Sequence, residues 1–219
     1  MLHRVLKIAL IAGVIAGLCV SILQMAQVVP LILEAEKYER EAENQSLAHE
    51  EWAPQDGWER TGYTVMTNIL IGVGFGLLLC SAVVLRGKKI NMKEGLFWGL
   101  GGFLAFSFFP SLGLPPELPG MSAADLPLRQ IWWVITVALS AIGLCLIFFK
   151  QGLPWKGGGL ILIAIPHLLG VPHPSEMTGG PPAELASQFV MASLFTSAVF
   201  WLIIGTASGW CFNRFKSEF

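Results

Sequence analysis

The stretch Gly157-Gly158-Gly159-Leu160-Ile161-Leu162-Ile163-Ala164-Ile165-Pro166-His167-Leu168-Leu169-Gly170-Val171 decides how the chain is organised. It is uncharged and apolar, yet its 15 residues rise only about 22 Å as a helix. A crossing of the hydrocarbon core takes about 20 residues. Pro166 and His167 weaken it further, because proline removes a backbone donor and an imidazole is polar. Whether this stretch crosses a membrane fixes the side on which everything after it lies.

Its neighbours set the context. Hydrophobic residues make up 54% of the 219 and charged ones 13%, about half the charge of an average soluble domain. The mean hydropathy is +0.63. A chain so apolar needs lipid as its solvent. Five further stretches reach or approach spanning length: Ile8–Leu33, Tyr63–Leu85, Gly95–Leu114, Ile131–Phe149 and Phe189–Phe212. The first begins like a signal peptide, with His3, Arg4 and Lys7. Its apolar run is far longer than an h-region and carries no small-x-small cleavage site, so it reads as a retained span.

Charge settles the count. With six spans, segments 1–7, 86–94, 150–156 and 213–219 share one side and hold ten of the 14 basic residues. Of the 15 acids, only Glu94 and Glu218 lie there. Basic loops mark the cytoplasmic side. If the short stretch failed to cross, Arg214 and Lys216 would end on the wrong side. The expectation is an all-α integral membrane protein, a bundle of six transmembrane helices, five of full length plus one short and proline-broken. It forms one membrane domain over 1–219, multi-pass in the bacterial inner membrane, with both termini cytoplasmic. The small-xxx-small pairs Gly13/Gly17, Gly72/Gly76, Gly95/Gly99 and Gly205/Gly209 suit close helix packing in lipid. Trp132, Trp133, Trp155, Trp201 and Trp210 read as interfacial aromatics. Each odd-numbered span starts basic and glycine-rich and reaches proline followed by acid, which suggests three repeated helical hairpins.

Function classes narrow by exclusion. A net charge of −1 gives no field for nucleic acid. Cys19, Cys80, Cys145 and Cys211 are scattered singly, without a CxxC pair, and read as packing residues. No metalloprotease, phosphate-loop or catalytic-triad pattern is visible, and no cofactor is implied. The inside loops are too short for a nucleotide-driven motor, which leaves passive, ion-coupled or partner-driven transport.

The outer face carries the chemistry. Residues 34–61 form an acidic periplasmic loop between the first two spans, with nine acids against three bases. Such a vestibule concentrates cations. A helix continuing from the first span would align Glu36, Glu39 and Glu43 with Tyr38. Glu34 lies at the membrane boundary, where a charge needs a partner. Glu117 between prolines, His167 in the short span and His173 just beyond complete the candidate metal-handling set Glu34, Glu117, His167 and His173. Two imidazoles and carboxylates suit cobalt, nickel or zinc better than the all-oxygen shells of magnesium or calcium. Gln24, Met25 and Gln27 are weaker candidates on the first span. Arg129 is expected to pair with Glu117 or Asp125.

Together, Pro30-Leu31-Ile32-Leu33-Glu34-Ala35-Glu36-Lys37-Tyr38-Glu39, Pro115-Pro116-Glu117-Leu118-Pro119-Gly120, Arg129-Gln130 before the Trp pair, and Pro166-His167 to His173-Pro174 resemble the CbtA family over essentially the whole chain. The resemblance implies a cobalt transporter subunit associated with cobalamin biosynthesis, partnered by a small one-span, histidine-bearing subunit, CbtB. That family is usually described with five spans, against the six that the charges favour. The function so implied is a permease subunit whose transported substrate is a divalent metal ion, cobalt or nickel. A non-transporting scaffold or regulatory subunit of an import complex is the alternative, and a membrane-embedded enzyme is the least favoured class. Membrane lipid surrounds the chain in every case, and a homo-oligomer is compatible with all of them.

Overall fold

The computed structural model describes residues 2–43, 54–87, 90–174 and 180–215. Glu50, Glu51, Lys88, Lys89, Glu176, Lys216 and Glu218, which entered the charge count, lie outside the described residues, as do His49 and the side chains of residues 41–43. Among the described residues every regular element is helical: α1 Leu2–Gln27, α2 Val29–Glu43, α3 Trp58–Leu85, α4 Met92–Phe103, a π-helical turn Leu104–Phe108, α5 Phe109–Ser111, α6 Leu126–Phe149, α7 Leu153–Leu169 and α8 Ala183–Arg214. Four of these, α1, α3, α6 and α8, are long and apolar enough to cross a membrane, and α7 is a shorter apolar helix.

The chain divides into two compact units. The first comprises residues 1–29, 49–100 and 195–219. In it α1 runs antiparallel along α3 through paired glycines. A Cβ on Gly17 would lie 2.7 Å from Ile69 Cα, and Gly13 meets the Gly72–Val73 backbone as closely. Only hydrogen fits between those two backbones, so glycine is required by the approach itself. Gly95 and Gly99 of α4 meet α8 at Gly205 and Trp201 in the same way. All four small-xxx-small pairs read from the sequence therefore lie at close helix contacts, with Gly13 meeting Gly72 and Gly95 meeting Gly205.

The same unit brings its basic ends together. Arg4 donates from Nη2 to the Phe212 carbonyl at 2.8 Å and lies over the Phe212 ring, while Lys7 sits 4.6 Å from the Phe215 ring centroid. A cation at the carbonyl end of a helix answers the helix dipole. Below this clasp Val5, Ile8, Ala9, Cys80 and Cys211 form a core cluster, and Cys80 Sγ lies 3.7 Å from Ser208 Oγ. The start of α1 and the end of α8 thus share one end of the unit. α4 starts at that end too, with Gly209 against the Asn91 carbonyl. Its capping box is complete: Asn91 Oδ1 accepts from the Lys93 and Glu94 N–H groups, and Glu94 Oε2 accepts from the Asn91 N–H at 2.8 Å.

The second unit comprises residues 30–48 and 101–194. α6 starts on Asp125, whose carboxylate accepts from the Leu128 N–H, and has Pro127 in its first turn, where the missing donor costs nothing. α7 folds back along α6, with Gly159 so close to Gly143 that a Cβ on Gly143 would lie 2.6 Å from the Gly159 carbonyl oxygen. Ahead of Pro110 the helix widens. Phe109 N–H reaches back to the Leu104 carbonyl, one residue beyond α-helical register. Proline at 110 cannot donate to the preceding turn, and the π turn re-registers the chain around that lost bond.

Two sequence expectations need correction, the proline break and the length of the first span. The short stretch is not broken at Pro166: α7 runs through it to Leu169 and stops at Gly170, whose φ is +107°. One absent N–H leaves most of the helix ladder intact, and the glycine supplies the stop. The acidic segment opens as the helix that a continuation of the first span would give, with α2 covering residues up to Glu43. The first span itself ends at Gln27, and Pro30 to Leu33 belong to α2. Charged residues spaced along α2 favour helix over irregular chain, with Lys37 pairing Glu34 one turn back.

Candidate functional site

All four candidate residues fall in the second unit, at the end where α7 terminates or on α2. Glu34 lies on α2 with its side chain 45% exposed, and its Oε2 is 2.6 Å from Lys37 Nζ. The boundary charge therefore has the partner it was expected to need. Glu117, in the proline-rich segment after α5, pairs with Arg129 of α6 at 2.7 Å, and its side chain is only 21% exposed. Asp125, the other expected partner, is committed to capping α6. His173 follows α7 and is exposed.

His167 has the most constrained setting. It stands in the last turn of α7, its Nε2 is buried, and among the described residues that atom has no hydrogen-bond partner. A buried polar atom left unpaired costs about 1–3 kcal/mol. His167 borders a shallow, open apolar depression of about 400 Å³ that is lined by Phe109, Leu112, Leu160, Ile163, Ala164 and Leu168 as well. A neutral imidazole protonated at Nδ1 presents a lone pair at Nε2, which can accept a proton or bind a metal ion.

Trp132 encloses this corner. Its indole N–H is shared between the Gly170 carbonyl at 3.0 Å and the Pro166 carbonyl at 3.3 Å. Those oxygens belong to the end of α7, where carbonyls lack helical donors. The ring meets the His167 imidazole edge-on, with centroids 5.5 Å apart. Trp132 is 8% exposed, so it is a buried clasp rather than the interfacial anchor that its position near a span end suggested.

The structure does not gather the four candidates into one cage. Among the described residues no three of His, Cys, Asp and Glu come together so as to hold a metal ion. Sequence reasoning also missed a polar seam in the first unit. Asn68, on the α3 face turned to α1, donates from Nδ2 to Ser21 Oγ at 3.0 Å and to Gln24 Oε1 at 2.7 Å. Ser21 in turn donates to the Gly17 carbonyl, and Thr61 Oγ1 lies 3.8 Å from Met25 Sδ. Gln24 and Met25, weak ligand candidates on α1, are thus engaged with α3. The signal was present, since Asn68 interrupts an apolar run where an amide needs a partner.

The chain matches the model of a family described as "Probable cobalt transporter subunit (CbtA)" over residues 2–213. It belongs to the CbtA family. No curated protein and no solved structure matches it. Membership in the CbtA family, together with its apolar helices, makes the chain a membrane protein and a transporter subunit by family description. As a subunit, a CbtA chain works within a complex.

Proposed function

We propose that the chain is the permease subunit through which a divalent transition metal ion, cobalt foremost, is taken up across the bacterial inner membrane in support of cobalamin biosynthesis. The family match over residues 2–213 carries this reading. The buried Nε2 of His167, which has no hydrogen-bond partner among the described residues, supports it, because an imidazole lone pair suits cobalt or nickel. Glu34, Glu117, His167 and His173 act at successive points along the path, in keeping with their separate settings. Glu117 is held in place by Arg129, and His173 is the exposed donor just beyond α7.

The same reading takes α7 and the helical run 92–111 as crossings, which makes six with both termini cytoplasmic. Two observations support it: the basic residues Arg4, Lys7, Arg86, Lys93 and Arg214 gather at one end of the first unit, and Arg4 joins the start of α1 to the end of α8. The three hairpins of the proposed repeat are then α1 with α3, the run 92–111 with α6, and α7 with α8. A small one-span CbtB-like subunit completes the complex.

Metal content of cells expressing the chain, with and without a one-span partner, tests this directly. Mass spectrometry across cobalt, nickel, zinc and manganese is expected to show cobalt accumulation that drops on His167→Ala. Cobalt no higher than in control cells under either condition would leave a scaffold role in its place.

A further inference from the structure

We propose that Trp132 is the positioning residue for His167, holding the last turn of α7 closed so that the imidazole keeps its buried setting. This rests on the reading of His167 as a metal donor only for its functional meaning; the clasp stands on its own geometry.

Pro166 lacks the N–H that would bond the Leu162 carbonyl, and α7 ends four residues later at Gly170. The turn carrying His167 is therefore short of helical bonds on both sides, and left alone it would fray. A single donor from another helix closes it. The Trp132 N–H takes the carbonyls of Pro166 and Gly170, which bracket His167 in sequence. The same indole sets the tilt of the imidazole through the edge-on contact at 5.5 Å.

The clasp is itself fixed from two further sides. Gly113, in the segment after α5, lies against the ring so closely that a Cβ there would fall 2.7 Å from Cζ2. Thr136, one turn along α6, donates to the Trp132 carbonyl at 2.8 Å. Arg129, three residues before Trp132 on α6, carries the ion pair to Glu117. One turn of α6 thus holds both a candidate carboxylate, through Arg129, and a candidate imidazole, through Trp132.

The test is site-resolved carbethoxylation of histidines in the purified full chain, read by mass spectrometry, with exposed His173 as the internal standard. In Trp132→Phe, which keeps a ring and loses the N–H, modification of His167 relative to His173 is expected to rise about tenfold as the turn opens locally. Gly113→Ala, which displaces the indole without removing it, is expected to act in the same direction and serves if the first variant does not fold. An unchanged His167 to His173 ratio in the folded variants overturns the proposal. Cobalt uptake in the same variants separates the two readings. A raised ratio with normal uptake keeps Trp132 as the positioning residue and removes His167 from the transport path. A raised ratio in a chain whose wild type takes up no cobalt likewise upholds the clasp and sinks the permease.

Discussion

Arg129 Nη2 stands 2.7 Å from Glu117 Oε2, joining α6 to the proline-rich segment after α5. The two side chains are 30% and 21% exposed, so the pair is partly screened and worth about 1 kcal/mol of stability at most. Its larger consequence is placement. Glu117→Gln and Arg129→Gln are each expected to lower cobalt uptake several-fold while changing thermal stability little. The double variant is expected to be no worse than either single one, because both act through one pair. Strict additivity of the two defects would show that they work separately.

The α1–α3 contact makes a sharper stability prediction. Gly13→Ala puts a methyl group into backbone atoms of Gly72 and Val73, and overpacking of this kind costs about 1–3 kcal/mol. Gly74→Ala, on the same α3, meets nothing within 4 Å and is expected to be neutral. Thermal unfolding in one detergent compares the two. Equal midpoints would mean that the helices do not approach as described.

Asn68→Leu keeps the side-chain volume of α3 and loses two hydrogen bonds to α1. Interhelical bonds of this class contribute about 1–2 kcal/mol at most in membranes. The expected outcome is a chain that inserts normally and unfolds at lower temperature, with Ser21→Ala showing a smaller effect in the same assay.

Arg4→Ala removes the donor to the Phe212 carbonyl. At a helix terminus this interaction is worth about 0.3–1 kcal/mol. We expect a small stability loss that added salt does not deepen, and reporter fusions at both termini that stay on one side of the membrane. A C-terminal reporter on the opposite side from the N-terminal one would overturn the even number of crossings.

Much of the architecture is written in local pattern. The glycine pairs Gly13/Gly17, Gly72/Gly76, Gly95/Gly99 and Gly205/Gly209 announce close contacts by their spacing, because only small residues let backbones meet in lipid. Glu34 at a boundary implies a partner, and Lys37 one turn away supplies it. What spacing cannot carry is register between helices far apart in the chain. Trp132 reads as a generic interfacial ring until α6 is laid against α7 and its N–H falls on Pro166 and Gly170. The same ignorance of partners made Pro166 look like a break. A proline this close to a helix end removes one bond and leaves the rest of the ladder, so the stop falls at Gly170 instead.

The length of α7 has a physical consequence of its own. Its 17 residues rise about 26 Å, short of the roughly 30 Å of hydrocarbon in an ordinary bilayer. Where such a helix crosses, lipid must pinch inward to meet its ends. A thinner film brings the two water phases nearer and lowers the electrostatic barrier that any ion faces. This short apolar helix would then mark the chain's most permeable point, beside the imidazole of His167 in its last turn.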